Sequence, residues 1–229
     1  MDIVSTPLFG ITLTLLAYVV SVYIYTKSKG PLLNPMLIST LIIIAILLIS
    51  KIDYSNYKIG GDYISFFLGP STVVLAVPLY KTIDLLRKNL IPILVGISAG
   101  SFVGISCIIL FSKLLGLDIS IIKSLAPKSV TTPIGIEVAK SLGGIESITV
   151  IAIVITGITG AIIAPYVLKL FRINDPLSKG VSIGTSSHAL GTTKAMEIGE
   201  VEGAMSSLSI GIAGLITLVL APLLISLIL

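Results

Sequence analysis

One lysine stands in an uncharged, proline-bounded segment, where a positive charge could bind an acid. Residues 126–133 read APKSVTTP, so that the hydroxyl groups of Ser129, Thr131 and Thr132 follow Lys128. A lysine at bilayer depth costs roughly 2.5 kcal/mol or more, which makes it a functional candidate. Amides freed beside proline and the start of a half-helix would add partial positive charge. The segment predicts a carboxylate site; a loop lysine that reaches the lipid headgroups is the alternative.

A second polar segment contains the only histidine of the chain. Residues 184–194 read GTSSHALGTTK. The hydroxyl residues that we take as substrate-binding candidates around His188 are Thr185, Ser186, Ser187 and Thr192. Backbone amides in such a segment can hold an oxyanion, and histidine titrates near neutral pH. The pattern predicts a substrate site in which His188 couples a proton to transport, and a structural histidine bonded to a carbonyl is the alternative.

Three charged residues beside these segments are candidates for coupling or gating. Lys194 and Glu197 are three residues apart, which lets them pair on one helix face, and Glu137 and Lys140 have the same spacing. We therefore assign a coupling or gating role to Glu137, Lys194 and Glu197. A solvated helix in a connection is the alternative.

The residue inventory excludes several kinds of chemistry. One histidine and one cysteine cannot build a structural zinc site, so no metal is expected. The sequence has no Walker-type phosphate loop, which argues against ATP as the energy source. The broken segments contain no aspartate for a Ser-His-Asp triad. We therefore expect neither an enzyme nor a cofactor.

The composition is that of a membrane protein. The chain of 229 residues is 55% hydrophobic and 11% charged, whereas a soluble domain has about a quarter charged residues. Charge-free stretches cover residues 7–26, 30–50, 63–80, 89–112, 147–168 and 203–229. A helix needs roughly 20 apolar residues to cross a bilayer. The sequence predicts an all-α, multi-pass protein of the cell membrane with about eight membrane segments, some of them broken or re-entrant.

The second part of the chain is repetitive. An offset of 57 residues matches Pro70 with Pro127, Asp118 with Asp175, and Pro165 with Pro222. Each unit has a segment interrupted by proline or glycine and then an uninterrupted apolar helix, which points to a transporter's binding site. The same repeat places Ser71 and Thr72 opposite Ser129, so we include this pair as substrate-binding candidates. Residues 1–62 are predicted to be a two-helix scaffold or oligomerisation segment, and 63–229 the transport core.

Charge does not settle the topology. The net charge of +4 resides mostly in the connections, where it sets orientation and does not indicate nucleic acid as a partner. Residues 81–88 and 169–179 each contain three basic residues, but simple counting puts them on opposite sides unless one broken segment is re-entrant. A unit with an odd number of crossings would make the repeats inverted, which suits alternating access.

At these residues the chain resembles the LrgB/CidB family of membrane proteins. The resemblance rests on FLGPSTV at 67–73, SLAPKSVTTPI at 124–134, and GTSSH at 184–188 followed by GT at 191–192. Lys194 stands where arginine is often found, which removes bidentate geometry. The resemblance implies two functions. Bacterial members are often called antiholin-like or holin-like and act with an LrgA/CidA partner on murein hydrolases and lysis, whereas the plant relative is a plastid glycolate/glycerate translocator.

We predict a secondary transporter of small monocarboxylates of the glycolate, glycerate, pyruvate and lactate class, with proton coupling as an option. An elevator-type homodimer in the lipid bilayer is expected, by analogy. The alternative is an antiholin-like or holin-like protein that modulates murein hydrolase activity and cell lysis with an LrgA/CidA-type partner. An apolar hole-forming assembly would gain nothing from an intramembrane lysine and repeated helix breaks, whereas a carboxylate carrier explains both.

Overall fold

The computed structural model describes residues 3–28, 33, 35–67, 70, 80–81 and 83–229, and every regular element in these residues is helical. The chain separates into two compact units, residues 1–74 and 75–229. By length and composition, four of the described helices could cross a membrane. The protein is therefore a multi-pass membrane protein, as the composition predicted.

The first unit contains a short 3-10 helix, Ile3–Ser5, and three α-helices. These are α1 (Pro7–Ser28), α2 (Pro35–Ile49) and α3 (Tyr54–Ser65). Helices α1 and α3 approach closely where Gly10 faces Gly60, because a Cβ on either glycine would collide with the backbone of the other helix. Beside this crossing, the hydroxyl oxygens of Thr14 and Tyr57 are 2.9 Å apart. The scaffold role of this part of the chain stays a prediction.

Seven helices are described in the second unit. They are α4 (Ile83–Lys88), α5 (Leu90–Leu114), α6 (Ile119–Leu125), α7 (Thr132–Leu142), α8 (Glu146–Leu170), α9 (Pro176–Ile198) and α10 (Glu200–Ile228). Helices α5, α8 and α10, together with α1, are the four candidate spans. The offset of 57 residues superposes α5 on α8 and the segment from α6 to α7 on α9. The repeat seen in the sequence therefore corresponds to a repeated order of helices.

Helices α6 and α7 form an antiparallel hairpin. The chain leaves α6 through a non-helical loop and turns back, so that a Cβ at Gly135 in α7 would lie 3.5 Å from the Pro127 carbonyl oxygen. Gly143, with φ of 75°, ends α7 in the left-handed conformation that glycine adopts without strain. The Ile145 amide then donates to Ser124 Oγ at 2.6 Å. The α6–α7 hairpin thus enters and leaves at one end of the unit.

Helix α9 also folds back on itself. Its backbone breaks at His188, where φ is 43° and ψ is −140°, in the positive-φ region that favours glycine. A Cβ at Gly191 would lie 3.3 Å from the Ile183 carbonyl oxygen. Eight residues of continuous helix would separate these positions by about 12 Å. Helix α9 therefore has a first arm, 176–187, and a second arm, 189–198.

The arms of α9 pack on the same part of α10 from opposite directions. Gly184 in the first arm and Thr192 in the second arm both contact Ser206, and the Thr192 and Ser206 hydroxyl oxygens are 2.7 Å apart. Asp175 caps the first arm, since its carboxylate accepts hydrogen bonds from the Ser178 amide and hydroxyl at 2.7 Å. Hydrogen bonds between the hydroxyls and close glycine contacts hold α9 and α10 together.

The two hairpins settle which connections share an end of the second unit. The start of α9 runs beside the start of α5, because a Cβ at Gly96 would lie 3.7 Å from Val181 Cγ1. The end of α8 packs against α9 through Leu168. Helices α5 and α8 are therefore antiparallel, and the basic connections 81–88 and 169–179 lie at the same end. Simple counting places them on opposite sides unless one broken segment is re-entrant, and in the structure the segments 119–142 and 176–198 each fold back.

Within the residues that the structure describes, the candidate spans are fewer than the charge-free stretches of the sequence. Helix α2 has 15 residues, α6 has 7 and α7 has 11, each short of the roughly 20 needed to cross a bilayer. The two arms of α9 are equally short. The expectation of an all-α membrane protein with broken helices is confirmed, while the residues that the structure describes contain four candidate spans.

Candidate functional site

A cavity of about 510 Å³ lies in the second unit between α5, the first arm of α9, α10 and the loop of the α6–α7 hairpin. Its lining extends from Pro92 and Leu177, near the starts of α5 and α9, to Gly104, Lys128 and Thr217 in the middle of the unit. Most lining groups are apolar, and Lys128 is the charged residue among them. The volume lies within the usual range for sites that bind small molecules.

The loop between α6 and α7 places Lys128 at the cavity. Pro127 and Val130 are fully buried and anchor the loop on either side. The Lys128 amide donates to the Leu125 carbonyl at 3.1 Å, which continues the last turn of α6. Lys128 and Ser129 are half-buried and line the cavity. The buried proline and valine therefore fix the backbone and leave the two polar side chains at the cavity wall.

The ammonium group of Lys128 has a hydroxyl partner. Its Nζ donates to Ser129 Oγ at 3.0 Å. None of the ion pairs formed between described residues involves Lys128. Two acids that could have paired with it have other partners, because Glu197 pairs with Lys194 at 2.7 Å and Glu200 pairs with Lys81 at 3.1 Å. The ammonium retains donors for an anion, and the Ser129 hydroxyl, which accepts from it, still has its own proton to donate.

Two predicted hydroxyls of α9 line the same cavity. The Thr185 hydroxyl donates to the Val181 carbonyl at 2.7 Å, and the Ser186 hydroxyl donates to the Ser182 carbonyl at 2.8 Å. Their protons are thus occupied by the helix backbone, and only their lone pairs remain available. These hydroxyls can accept hydrogen bonds from a ligand, so among the predicted residues that line the cavity the donors to an anion are Lys128 and Ser129.

The other predicted residues of α9 lie behind the cavity wall. His188 is 3% exposed, and its Nε2 donates to the Ile153 carbonyl oxygen at 2.9 Å, since a carbonyl can only accept. Thr192 is buried and donates to the His188 carbonyl at 3.0 Å. The buried Ser187 hydroxyl lies 3.0 Å from that of Ser186. This is the carbonyl-bound arrangement of a structural histidine, and the coupling role stays a prediction.

The two polar segments of the sequence converge in space, as expected from the repeat. Lys128 and Ser129 line one wall of the cavity, and Thr185 and Ser186 line another. Both segments contain a non-helical break, so the convergence brings together two helix interruptions.

Several other candidates lie away from the cavity or cannot be placed. Thr131 and Thr132 begin α7 and are half-buried outside the lining. Glu137 is exposed on α7. Lys194 and Glu197 pair with each other on the second arm of α9, as their spacing predicted. The candidates Ser71 and Thr72 lie outside the described residues. For all of these, the binding or gating role stays a prediction.

Two buried hydroxyl residues of the cavity were missed by the sequence analysis. Ser101 in α5 and Thr217 in α10 are buried hydroxyl residues that line the cavity. Each lies in a long apolar stretch, where scattered hydroxyl residues are common. The available signal was the spacing of Gly96, Gly100 and Gly104, which marks one face of α5. Across the residues with described positions, no group of three His, Cys, Asp or Glu could hold a metal ion.

Comparison with known proteins finds a matching family and several similar bacterial proteins. The LrgB-like family model matches residues 14–227. The uncharacterized protein YxaC of Bacillus subtilis (strain 168) is 40% identical over 213 residues, which cover 93% of each chain. The antiholin-like protein LrgB of the same strain is 36% identical over 229 residues, 100% of this chain and 99% of the relative. The antiholin-like protein LrgB of Bacillus cereus (strain B4264) is 36% identical over 219 residues, 95% of each chain.

No solved structure matches the chain. The family match covers nearly all of the sequence, including both hairpins and the residues that line the cavity. The curated relatives are similar over almost their full lengths. The chain belongs to the LrgB-like family.

Proposed function

We propose that this protein is a secondary transporter of small monocarboxylates of the glycolate, glycerate, pyruvate and lactate class. The observation that carries the proposal is the ammonium group of Lys128 at a cavity between apolar helices, where Ser129 is its hydrogen-bond partner. An ammonium in such surroundings is stabilised by a bound anion. One cation and mostly apolar walls suit a small acid with a single negative charge.

Access from one end supports a carrier over a pore. The cavity lining on α5 stops at Ile105, near the middle of the helix. Beyond that level, Ile109 and Ile122 belong to a packed core cluster, and the Ser124 carbonyl accepts a hydrogen bond from Thr149 at 2.9 Å. A pore would need a path through this end as well. A carrier that exposes its site to one side at a time needs one closed end.

The arrangement of the hairpins supports alternating access. The hairpins of the second unit follow antiparallel helices, α5 and α8, as inverted repeats do in many transporters. In our proposal both hairpins are re-entrant, and with the remaining apolar segments they make up about eight membrane segments of an elevator-type homodimer. The end with the basic connections 81–88 and 169–179 is assigned to the cytoplasm by the positive-inside rule. The cavity then opens to the cytoplasm.

The test is uptake of labelled glycolate, pyruvate and lactate into proteoliposomes that contain the purified protein, with and without a pH gradient. We expect saturable uptake of at least one acid by the wild type and none by Lys128→Met. Empty liposomes and liposomes with Lys140→Met, an exposed lysine of the same hairpin, serve as controls. The absence of uptake and of ligand-induced thermal stabilisation for all three acids would refute the proposal.

The names of the relatives favour a second candidate function. Two of the relatives named above are antiholin-like proteins. On this alternative, the protein modulates murein hydrolase activity and cell lysis together with an LrgA/CidA-type membrane partner. The discriminating measurement is the rate of lysis in cells that express the wild type or Lys128→Met with such a partner. Equal effects of both variants on lysis, without acid uptake, would favour the antiholin-like function over transport.

A further inference from the structure

Two hydroxyl groups at the cavity have no partner within the described part of the chain. Ser101 is 7% exposed and Thr217 is 3% exposed, and both line the cavity. Serine and threonine in helices commonly donate to the carbonyl four residues earlier, as Thr185 and Ser209 do here. Ser101 and Thr217 form no such bond. Their hydroxyl groups are therefore available to a molecule in the cavity.

A buried hydroxyl without a partner is unfavourable, because it has lost its hydrogen bonds to water. The described residues contain one inaccessible hydroxyl of this kind, Ser106 Oγ in α5, and it lies outside the cavity lining. Ser101 and Thr217 differ from Ser106 because the cavity gives a ligand access to them. The hydroxyl groups of Ser101 and Thr217 can therefore form hydrogen bonds only with a molecule that occupies the cavity.

The position of the pair relates it to the lysine. Ser101 directly follows Gly100 in α5, and Thr217 lies one turn beyond Ala213 in α10. Gly100 and Ala213 line the cavity as well. These residues and Lys128 line the same cavity, and Ser101 lies about two and a half turns of α5 beyond Pro92. Among the lining residues, Lys128 carries the only charge. A ligand held by Lys128 would therefore meet neutral hydroxyls on the facing helices.

We propose that Ser101 and Thr217 form a second polar subsite, which binds an uncharged oxygen of an anion held by Lys128. The inference rests on the proposed function and adds a requirement on the ligand. A hydroxyl group both donates and accepts, so that the subsite serves a hydroxy acid and an oxo acid alike. An acid without this second oxygen leaves both hydroxyls unpaired in the bound state.

The test compares two acids that differ by one hydroxyl, lactate and propionate. Their affinities are measured with the purified full-length protein by ligand-induced thermal stabilisation over a concentration series. We expect the wild type to bind lactate about tenfold or more tightly than propionate, since two hydrogen bonds distinguish them. The double variant Ser101→Ala/Thr217→Val should bind the two acids within about threefold of each other.

Matched variants separate the subsite from general effects on folding. Ser106→Ala removes a buried hydroxyl of the same helix outside the cavity, and it should keep the wild-type preference. Thr217→Ser keeps a hydroxyl and should retain more of the preference than Thr217→Val. Each of the single variants Ser101→Ala and Thr217→Val should lower the preference for lactate over propionate by about threefold. The substitutions replace unpaired hydroxyls by apolar groups, so the thermal stability without ligand should be unchanged or higher.

The outcomes distinguish the subsite from the proposed function. Equal affinity of the wild type for both acids, or a full lactate preference in the double and single variants, would overturn the subsite and leave carboxylate binding intact. If the wild type binds neither acid, the proposed function and the subsite both fail. A preference that falls in Ser101→Ala and Thr217→Val, but not in Ser106→Ala, is the result that the proposal requires.

Discussion

The two hairpins of the second unit occupy corresponding places in the repeat but use their turns differently. The α6–α7 hairpin turns through a loop, residues 126–131, that presents Lys128 and Ser129 to the cavity. Helix α9 turns at a single residue, His188, whose imidazole is buried and bonded to α8. The repeated arrangement thus places a cavity-lining lysine at one turn and a buried histidine, bonded to a backbone carbonyl, at the other.

A second difference concerns how each hairpin meets its neighbour. At the closed end, the Ile145 amide donates to Ser124 Oγ at 2.6 Å. The repeat places Val181 at the position that corresponds to Ser124, and there the first arm of α9 makes apolar contacts, including one with the glycine face of α5. A hydroxyl group joins one pair of elements, while small apolar contacts leave room for the cavity between the other pair.

The largest expected effect is the loss of ligand binding at the turn of the α6–α7 hairpin. Lys128→Met removes the cation, so the affinity for transported acids should fall by at least about tenfold, to the limit of detection. Stability without ligand should stay the same or rise, because a desolvated charge is removed. Lys128→Arg should also be impaired, since a planar fork replaces a point charge.

Ligand-induced thermal stabilisation measures these effects, with Lys140→Met as the control. Wild-type stabilisation of Lys128→Met by the transported acid would show that the lysine has another role. In that case, neither of the two hairpin turns would provide the group that binds the ligand.

A loss of folding stability is expected at the turn of α9. His188→Ala removes a buried ring and its hydrogen bond to the Ile153 carbonyl, which should lower the free energy of unfolding by about 2 to 4 kcal/mol. Thr131→Ala, at the corresponding position of the other hairpin, should have a small effect because Thr131 makes no side-chain cap. Thermal unfolding in detergent compares the two. Equal losses would contradict the assignment of His188 as the anchor.

His188→Gln addresses the coupling role of the same residue. If the imidazole is only an anchor, the pH profile of uptake should match that of the wild type. If His188 carries the coupling proton, the variant should lose the pH dependence across the range in which imidazole titrates. Uptake measured at a series of pH values in proteoliposomes decides between these roles.

A smaller loss of stability is expected at the closed end. Ser124→Ala leaves the Ile145 amide without its acceptor, which should cost about 1 to 3 kcal/mol. Ser141→Ala is a suitable control, since the Ser141 hydroxyl donates only to the Val138 carbonyl of its own helix. Thermal unfolding of both variants gives the difference. If Ser124→Ala is as stable as Ser141→Ala, the hydroxyl does not hold this end closed.

The smallest expected effect concerns the starts of the two hairpins. Asp175 caps α9, whereas Asp118, its counterpart before α6, makes no side-chain cap. Asp175→Ala should therefore destabilise by at most about 1 kcal/mol, and Asp118→Ala by less. Thermal unfolding at neutral pH measures both variants. A larger loss for Asp118→Ala would contradict the difference in capping.

The cap should also depend on pH. Hydrogen bonds from Ser178 hold the pKa of the Asp175 carboxyl below its usual value. Because the folded pKa is lowered, the stabilisation is complete above the unfolded pKa of about 4 and is lost as the pH falls through the folded pKa. The stability difference between wild type and Asp175→Ala should thus shrink below about pH 4.

Much of the fold class could be read from local composition. Charge-free stretches predict membrane helices because the bilayer core excludes charge and requires internally bonded backbone. Proline and glycine marked both broken segments, and the offset of 57 residues identified their common place in the repeat. The break in α9 was predicted only as a segment, since its turn falls on His188, which lies between two glycines of that segment.

The position of Lys128 between two prolines also indicated part of the site from sequence alone. The partners of the polar groups were not readable in the same way. The residue types of a binding site are found at Thr185, His188 and Thr192. In the structure, however, their side chains donate hydrogen bonds to backbone carbonyls. Whether a hydroxyl or imidazole faces a ligand depends on contacts between distant segments.

The sequence by itself determined that this is a multi-pass helical protein with two interrupted segments and a lysine in one of them. Residue type decides these features, because burial of charge and loss of backbone hydrogen bonds are local costs. The tertiary structure decided that both segments fold back, that the basic connections share one end, and that Ser101 and Thr217 line the cavity. Those features depend on which helices pack together, and many apolar sequences permit several packings.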